Sequence, residues 1–183
     1  MSDVDAKCLD VFPTWLRTLG DDGEGLVDLI SDPKIPETAR RTLVGGLNYL
    51  FKSLDLIPDG IDDIGYLDDA FVLRVAADLA NKEGIDGIEA GKLTVALRLV
   101  NEVELVRDFL GDDYKRLEGY VVGLRRGAAR GRSVDDIVNN PAVLAEFIAD
   151  VRGFAKSYTA PSFSREPKNL IKMRAFFDAK LPR

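Results

Sequence analysis

Residues 54–69 limit what this chain can become more than any other stretch. Six of these sixteen residues are aspartates (Asp55, Asp59, Asp62, Asp63, Asp68 and Asp69), set among Leu56, Ile57, Ile61, Ile64, Tyr66 and Leu67. Carboxylates beside side chains that must be buried are costly unless each is capped, paired or bound to a cation. Pro58 cannot simply continue a helix, and Gly60 and Gly65 admit backbone conformations that other residues avoid. The segment therefore reads as a tight acidic turn between two helices.

Its flanks have helical spacing. Upstream, Pro36-Glu37 reads as a helix start, and Leu43, Leu47, Leu50, Phe51 and Leu54 continue the apolar stripe. Gly45-Gly46 weakens the helix locally, which points to close approach of another helix. Downstream, Leu67, Phe71, Val72, Val75, Ala76 and Leu79 form the next stripe.

The same spacing recurs over residues 4–19, where Pro13 is expected to open a fresh helix, and in a short element at 26–30. It returns over 93–110, 114–124, 144–158 behind Asn140-Pro141, and 170–181. Residues 127–133 read as a basic loop and 159–167 as a linker. No convincing two-residue alternation occurs. The expectation is an all-α fold, a compact helical bundle of about six or seven helices. Residues 10–85 would form one helical unit around the acidic turn, and residues 86–183 a helical extension packed on the same core.

Absences narrow the function. The chain has no histidine, which removes the commonest general base and transition-metal ligand. Triad hydrolases and zinc hydrolases are disfavoured, and a noncatalytic role is expected. One cysteine, Cys8, excludes an internal disulfide and a thiolate zinc site. No phosphate loop, dinucleotide fingerprint or nucleophile elbow occurs. No secretory signal is visible, and the uncharged run at 42–51 is about half the ~20 residues that span a bilayer. The expectation is a cytoplasmic protein, with no integral membrane segment.

Charge is uneven along the chain. Residues 1–91 hold 8 Lys and Arg against 19 Asp and Glu, whereas residues 92–183 hold 17 against 12. The acidic half disfavours nonspecific nucleic-acid binding, and no specific nucleic-acid motif is present.

The order Asn48-Tyr49-Leu50-Phe51-Lys52-Ser53-Leu54-Asp55-Leu56-Ile57-Pro58-Asp59, followed by Ile64-Gly65-Tyr66-Leu67-Asp68-Asp69, resembles the YkvA-like family. That family is a small bacterial helical domain of unknown function, so the resemblance implies a fold and no activity. Ser53-Leu54 stands where members often carry proline, and Gly60, Asp62 and Asp63 stand where members usually carry apolar residues.

Two readings of the acids remain open. Asp55 and Asp59 would cap short turns, and Asp68 or Asp69 the helix beginning near Leu67, with Asp62 and Asp63 more exposed. Alternatively Asp55, Asp59, Asp68 and Asp69 would hold Mg²⁺ or Ca²⁺, although the spacing fails the EF-hand pattern. No other cofactor is expected.

Arg125, Arg126, Arg130 and Arg132 form a candidate contact for an anion or a partner, or else solvate a helix end. Lys168, Lys172 and Arg174 with Leu170, Ile171, Met173, Phe176 and Phe177 make a basic amphipathic helix. It would pack on the body or lie on a membrane surface. The expected role is an interaction or scaffold module for another protein. The alternatives are a divalent-cation site and peripheral membrane association.

Overall fold

The computed structural model describes residues 1–183. Eight α-helices run in chain order: α1 (Asp3–Ile30), α2 (Glu37–Tyr49), α3 (Leu67–Lys82), α4 (Ala90–Leu110), α5 (Tyr114–Gly123), α6 (Val134–Asn139), α7 (Pro141–Ser157) and α8 (Pro167–Lys180). All but the six-residue α6 have ten residues or more, so the expected all-α bundle is present.

Two local readings are corrected. Pro13 lies inside α1 rather than at a helix start, and the 26–30 element is the end of the same helix. An internal proline costs about 3 kcal/mol. Here it is offset because α1 buries Cys8, Leu9, Phe12, Trp15, Leu16, Leu19, Leu26 and Val27 along its length. The basic loop also contains a minimal antiparallel hairpin, β1 (Ala128–Ala129) with β2 (Arg132–Ser133). Arg130 and Gly131 turn it, both with positive φ (51° and 75°), as a two-residue hairpin requires.

α3 is the axis of the molecule. Every residue from Leu67 to Asp78 is buried, so other elements must cover it on all sides. Gly46 lets α2 approach it: a Cβ there would stand 2.7 Å from the Ala76 Cβ. Phe71 packs edge-on against Phe12, Trp15 and Phe109 and stacks on Phe177 of α8 at 5.2 Å. One continuous apolar cluster therefore joins α1, α3, α4 and α8.

The one cation inside this core is Arg74, fully buried. Its guanidinium lies 3.9 Å from the centre of the Trp15 ring. Nη1 donates to the Ala70 carbonyl at 2.9 Å, and Nη2 stands 2.6 Å from Glu102 Oε2 and 3.7 Å from Asp22 Oδ2. Asp22 is itself fully buried and also accepts from Arg98 and from the Thr18 hydroxyl.

α8 docks through Leu170, Met173 and Phe177, all buried, while Ile171 stays exposed. The extended strap before it is pinned at Asp63, whose carboxylate accepts from the Ser164 hydroxyl at 2.7 Å and from Asn169 Nδ2 at 3.1 Å. Asp63 is thus not a free surface acid. It fastens the strap between α7 and α8 to the acidic turn.

Candidate functional site

The acidic turn is built from beneath by one tyrosine. Tyr49 is the last residue of α2 and is buried. Its hydroxyl donates to Asp68 Oδ2 at 2.5 Å and accepts from the Leu56 amide at 2.7 Å. Asp68 Oδ2 also accepts from the Ile57 amide at 3.0 Å. Tyr49, Leu56, Ile57 and Asp68 therefore close a buried ring of hydrogen bonds that satisfies two backbone donors the turn leaves over.

The sequence dictates the rest of the turn locally. Pro58 biases Ile57 towards extended backbone, and its carbonyl accepts from the Ile61 amide at 3.0 Å. The Ile61 carbonyl accepts from the Gly65 amide at 2.9 Å. A side chain at Gly65 would collide with the Asp59 carbonyl, so this position needs glycine. Asp63 and Tyr66 have left-handed backbone, φ 70° and 69°. Aspartate tolerates that region, but for tyrosine it is strained. Packing of the Tyr66 ring on Tyr158 and Phe154 holds it there.

The acids do not act as caps. α3 starts after Tyr66 with no side-chain cap, and Asp68 reaches across to the preceding turn instead. Asp55 and Asp59 receive no hydrogen bond and stand at the rim, half-buried and exposed. No three carboxylates converge on a common point where a metal ion would sit.

The electrostatics follow from burial without a counter-charge. Burial pushes the Asp55 carboxyl up to about 7, helped by Asp59 and Asp68 and opposed by Lys52. Burial also raises Asp59. Asp69 is raised well above the carboxylate range, by burial first and then by Asp68, Asp59 and Asp55. Asp68 is raised by burial too, but Tyr49 and Ile57 donate to its ionised form. Burial without a counter-charge thus raises both neighbours, and Asp69, which has fewer donors, the further.

One pH dependence follows. An acid whose folded pKa is raised costs no stability below its unfolded value near ~4, and costs progressively more until the folded pKa is passed. Asp55→Asn is expected to gain stability relative to wild type between about pH 4 and pH 7 and to hold a constant advantage above that. Paired thermal melts from pH 5 to pH 8 check this; a difference that does not change with pH would refute it.

Among the candidate arginines, Arg125 and Arg132 meet different acids, although Arg130 and Arg132 both lie over the Phe51 ring. Arg125 donates to Glu83 at 2.7 Å, and Arg132 pairs with Asp150 at 2.8 Å. Arg130 lies over the Phe51 ring at 4.6 Å, and Arg126 is exposed. In α8, Lys168 pairs with Glu166, Arg174 donates to Asp5 at 2.6 Å, and Lys172 is exposed.

One feature left no signal in the sequence, and one expectation is corrected, because α2 ends at Tyr49 and Leu54 does not continue its apolar stripe. Lys52 stands beside the Tyr120 hydroxyl at 3.3 Å, and Leu54 is 84% exposed at the outer edge of the turn. The signal for Leu54 was its place after Ser53, where the resemblance leads one to expect proline.

Residues 39–74 match the family model described as "Protein of unknown function (DUF1232)". The matched stretch runs from Ala39 through the acidic turn to Arg74, and is consistent with a YkvA-like uncharacterised helical family. No curated protein matches the chain, and no solved structure matches it. No helix is long and apolar enough to cross a membrane.

Proposed function

We propose that the protein is a noncatalytic interaction module that uses the 51–59 turn to hold another protein. The observation behind this reading is Leu54. A leucine 84% exposed is common on a mobile surface loop, but here the two residues that follow Asp55 are fixed to Tyr49 and Asp68 by buried hydrogen bonds. A side chain on a turn tied down at Lys52 and Leu56 on either side loses less freedom on binding than one on a free loop, which favours its use as an anchor. A concavity of about 450 Å³ beside it runs between this turn and the β1–β2 hairpin, walled by Phe51, Ala129 and Arg130.

Leu54→Asp is expected to abolish partner capture while leaving the melting temperature within about 1 °C of wild type. Photo-crosslinking from position 54 in the native cell identifies the partner, with Ile171→Asp as the exposed-leucine-like control that retains it. Equal capture by wild type and Leu54→Asp would overturn the reading.

A carboxylate-bound Mg²⁺ or Ca²⁺ supporting a regulatory or enzymatic role is a second reading. It is favoured by Asp68 Oδ1 and Asp69 Oδ2, which are buried with no hydrogen-bond partner. A saturating metal would raise wild-type stability by RT ln(1 + [L]/Kd), and the Asp69→Asn variant would lose that increment. Peripheral membrane attachment through α8 is less favoured, because Leu170, Met173 and Phe177 would have to leave the core.

A further inference from the structure

We propose that the groove between α5 and the last residues of the chain binds a phosphate-bearing anion. The groove has a volume of about 590 Å³ and is lined by Lys52, Lys115, Arg116, Arg183 and Tyr120 over a glycine floor. Four cationic side chains line it, in a chain whose net charge is −6, and the acids that pair with three of them, Asp113, Glu118 and Asp178, lie outside its lining. A concavity of the minority sign concentrates field of that sign and draws anions to it.

The wall is preorganised. Arg116 donates to Asp113 at 2.6 Å and to the carbonyls of Leu181, Asp178 and Pro182 at 2.6, 2.9 and 3.2 Å. Its charge is thereby engaged with Asp113 and Asp178, and its role is to fix the groove's shape. The charges open to a ligand are those of Lys52, Lys115 and Arg183. Lys52 lies over the Tyr120 ring, 5.5 Å from its centre, and donates to that ring's hydroxyl at 3.3 Å, with Asp55 near enough to feel its charge. Lys115 meets Glu118 at 3.3 Å and Arg183 meets Asp178 at 3.5 Å. Both cations are more than four-fifths exposed, and exposed pairs of this kind are weak enough to exchange for a ligand anion.

A phosphate fits this arrangement better than a carboxylate. It offers three or so acceptor oxygens and up to two charges to cations arriving from α5, the turn and the chain's end. The volume exceeds what phosphate alone fills and lies within the range of small-molecule sites. The ligand class is therefore a phosphorylated small molecule or a phospholipid headgroup, which share this chemistry. The inference does not depend on the role given to Leu54.

Gly119 and Gly123 provide the test. They are exposed, lie one turn apart on α5, and a Cβ at either would meet nothing within 4 Å. A leucine there fills the groove without disturbing the core and improves helix propensity.

The full chain is titrated calorimetrically with inorganic pyrophosphate at low ionic strength, and floated with phosphatidylcholine vesicles with and without phosphatidic acid. One salt-sensitive pyrophosphate site per chain is expected. The Lys52→Gln/Lys115→Gln double variant should weaken it by about tenfold or more. Gly119→Leu or Gly123→Leu should remove it with an unchanged or raised melting temperature, and Lys172→Gln should leave it intact. Pyrophosphate binding without flotation assigns a soluble ligand. Flotation dependent on phosphatidic acid and lost in the same variants assigns a headgroup. Neither binding nor flotation, or binding that the groove variants leave undiminished, overturns the proposal.

Discussion

Arg74→Ala is expected to lower folding stability by about 3–5 kcal/mol, the typical cost of breaking a buried ion pair from one side. Arg74 is fully buried, and its removal leaves Asp22 and Glu102 with only the partly exposed Arg98 as a shared cation. Asp22 is already raised by burial and is held down by Arg74 and Arg98. Arg98 is itself partly exposed and cannot replace the lost guanidinium under Trp15. A domain is stable by only about 5–15 kcal/mol, so this variant should lose a large share of its stability.

Arg74→Met combined with Asp22→Asn is the informative companion. It keeps most of the volume against Trp15 and removes the stranded charge together with its partner. It should recover a large part of the loss, because a buried pair is often replaceable by packing. Urea denaturation of the single and double variants decides the matter. A single-variant loss below about 1 kcal/mol would mean that water or repacking solvates Asp22, contrary to the geometry described.

Asp68 and Asp69 are adjacent and both buried, yet their replacements are expected to act with opposite sign. Asp68→Ala orphans the Tyr49 hydroxyl and the Ile57 amide, each an interior donor. Two unsatisfied donors at about 1–3 kcal/mol each, less the relief of repulsion with Asp69, give a loss of about 2–4 kcal/mol. Asp69→Asn instead removes a carboxyl that burial and three neighbouring acids drive towards protonation, and it keeps the shape. It should be at least as stable as wild type at pH 7, and its advantage should shrink towards pH 4 as the unfolded wild-type chain also takes up the proton that the folded one holds. Melts of both variants at pH 5 and pH 8 provide the measurement. Equal destabilisation by the two replacements would show that Asp69 has a partner, and a bound cation would then be the first candidate.

Much of this architecture could be read from apolar spacing, because each long helix buries one face. What escaped the sequence was set by contacts between distant residues. α1 runs through Pro13 since both sides of the proline bury into the same core, which no local rule records. The Tyr49–Asp68 bond spans nineteen positions, so local chemistry offered capping as the nearest role for the acid. Asp63 looked like a surface residue because its partners, Ser164 and Asn169, lie about a hundred residues away. Arg74 did leave a trace. It is the lone charge in the run from Ala70 to Ala77, and a lone charge on an all-apolar helix is a buried one in need of partners. The basic groove left little trace, since Lys52, Lys115 and Arg183 meet only after folding.

The burial of α3 on every side bears on how this segment can be inherited. A stretch ending at Arg74 contains the first half of that helix and most of α2 but none of α1, α4, α7 or α8, and so lacks Phe12, Trp15, Phe109 and Phe177, which hide Phe71. Expressed by itself it would expose that surface and aggregate. The recognisable motif is thus a keystone and not a portable unit. Any chain that carries it must bring its own masonry: enough amphipathic helix, of whatever sequence, to enclose the arch.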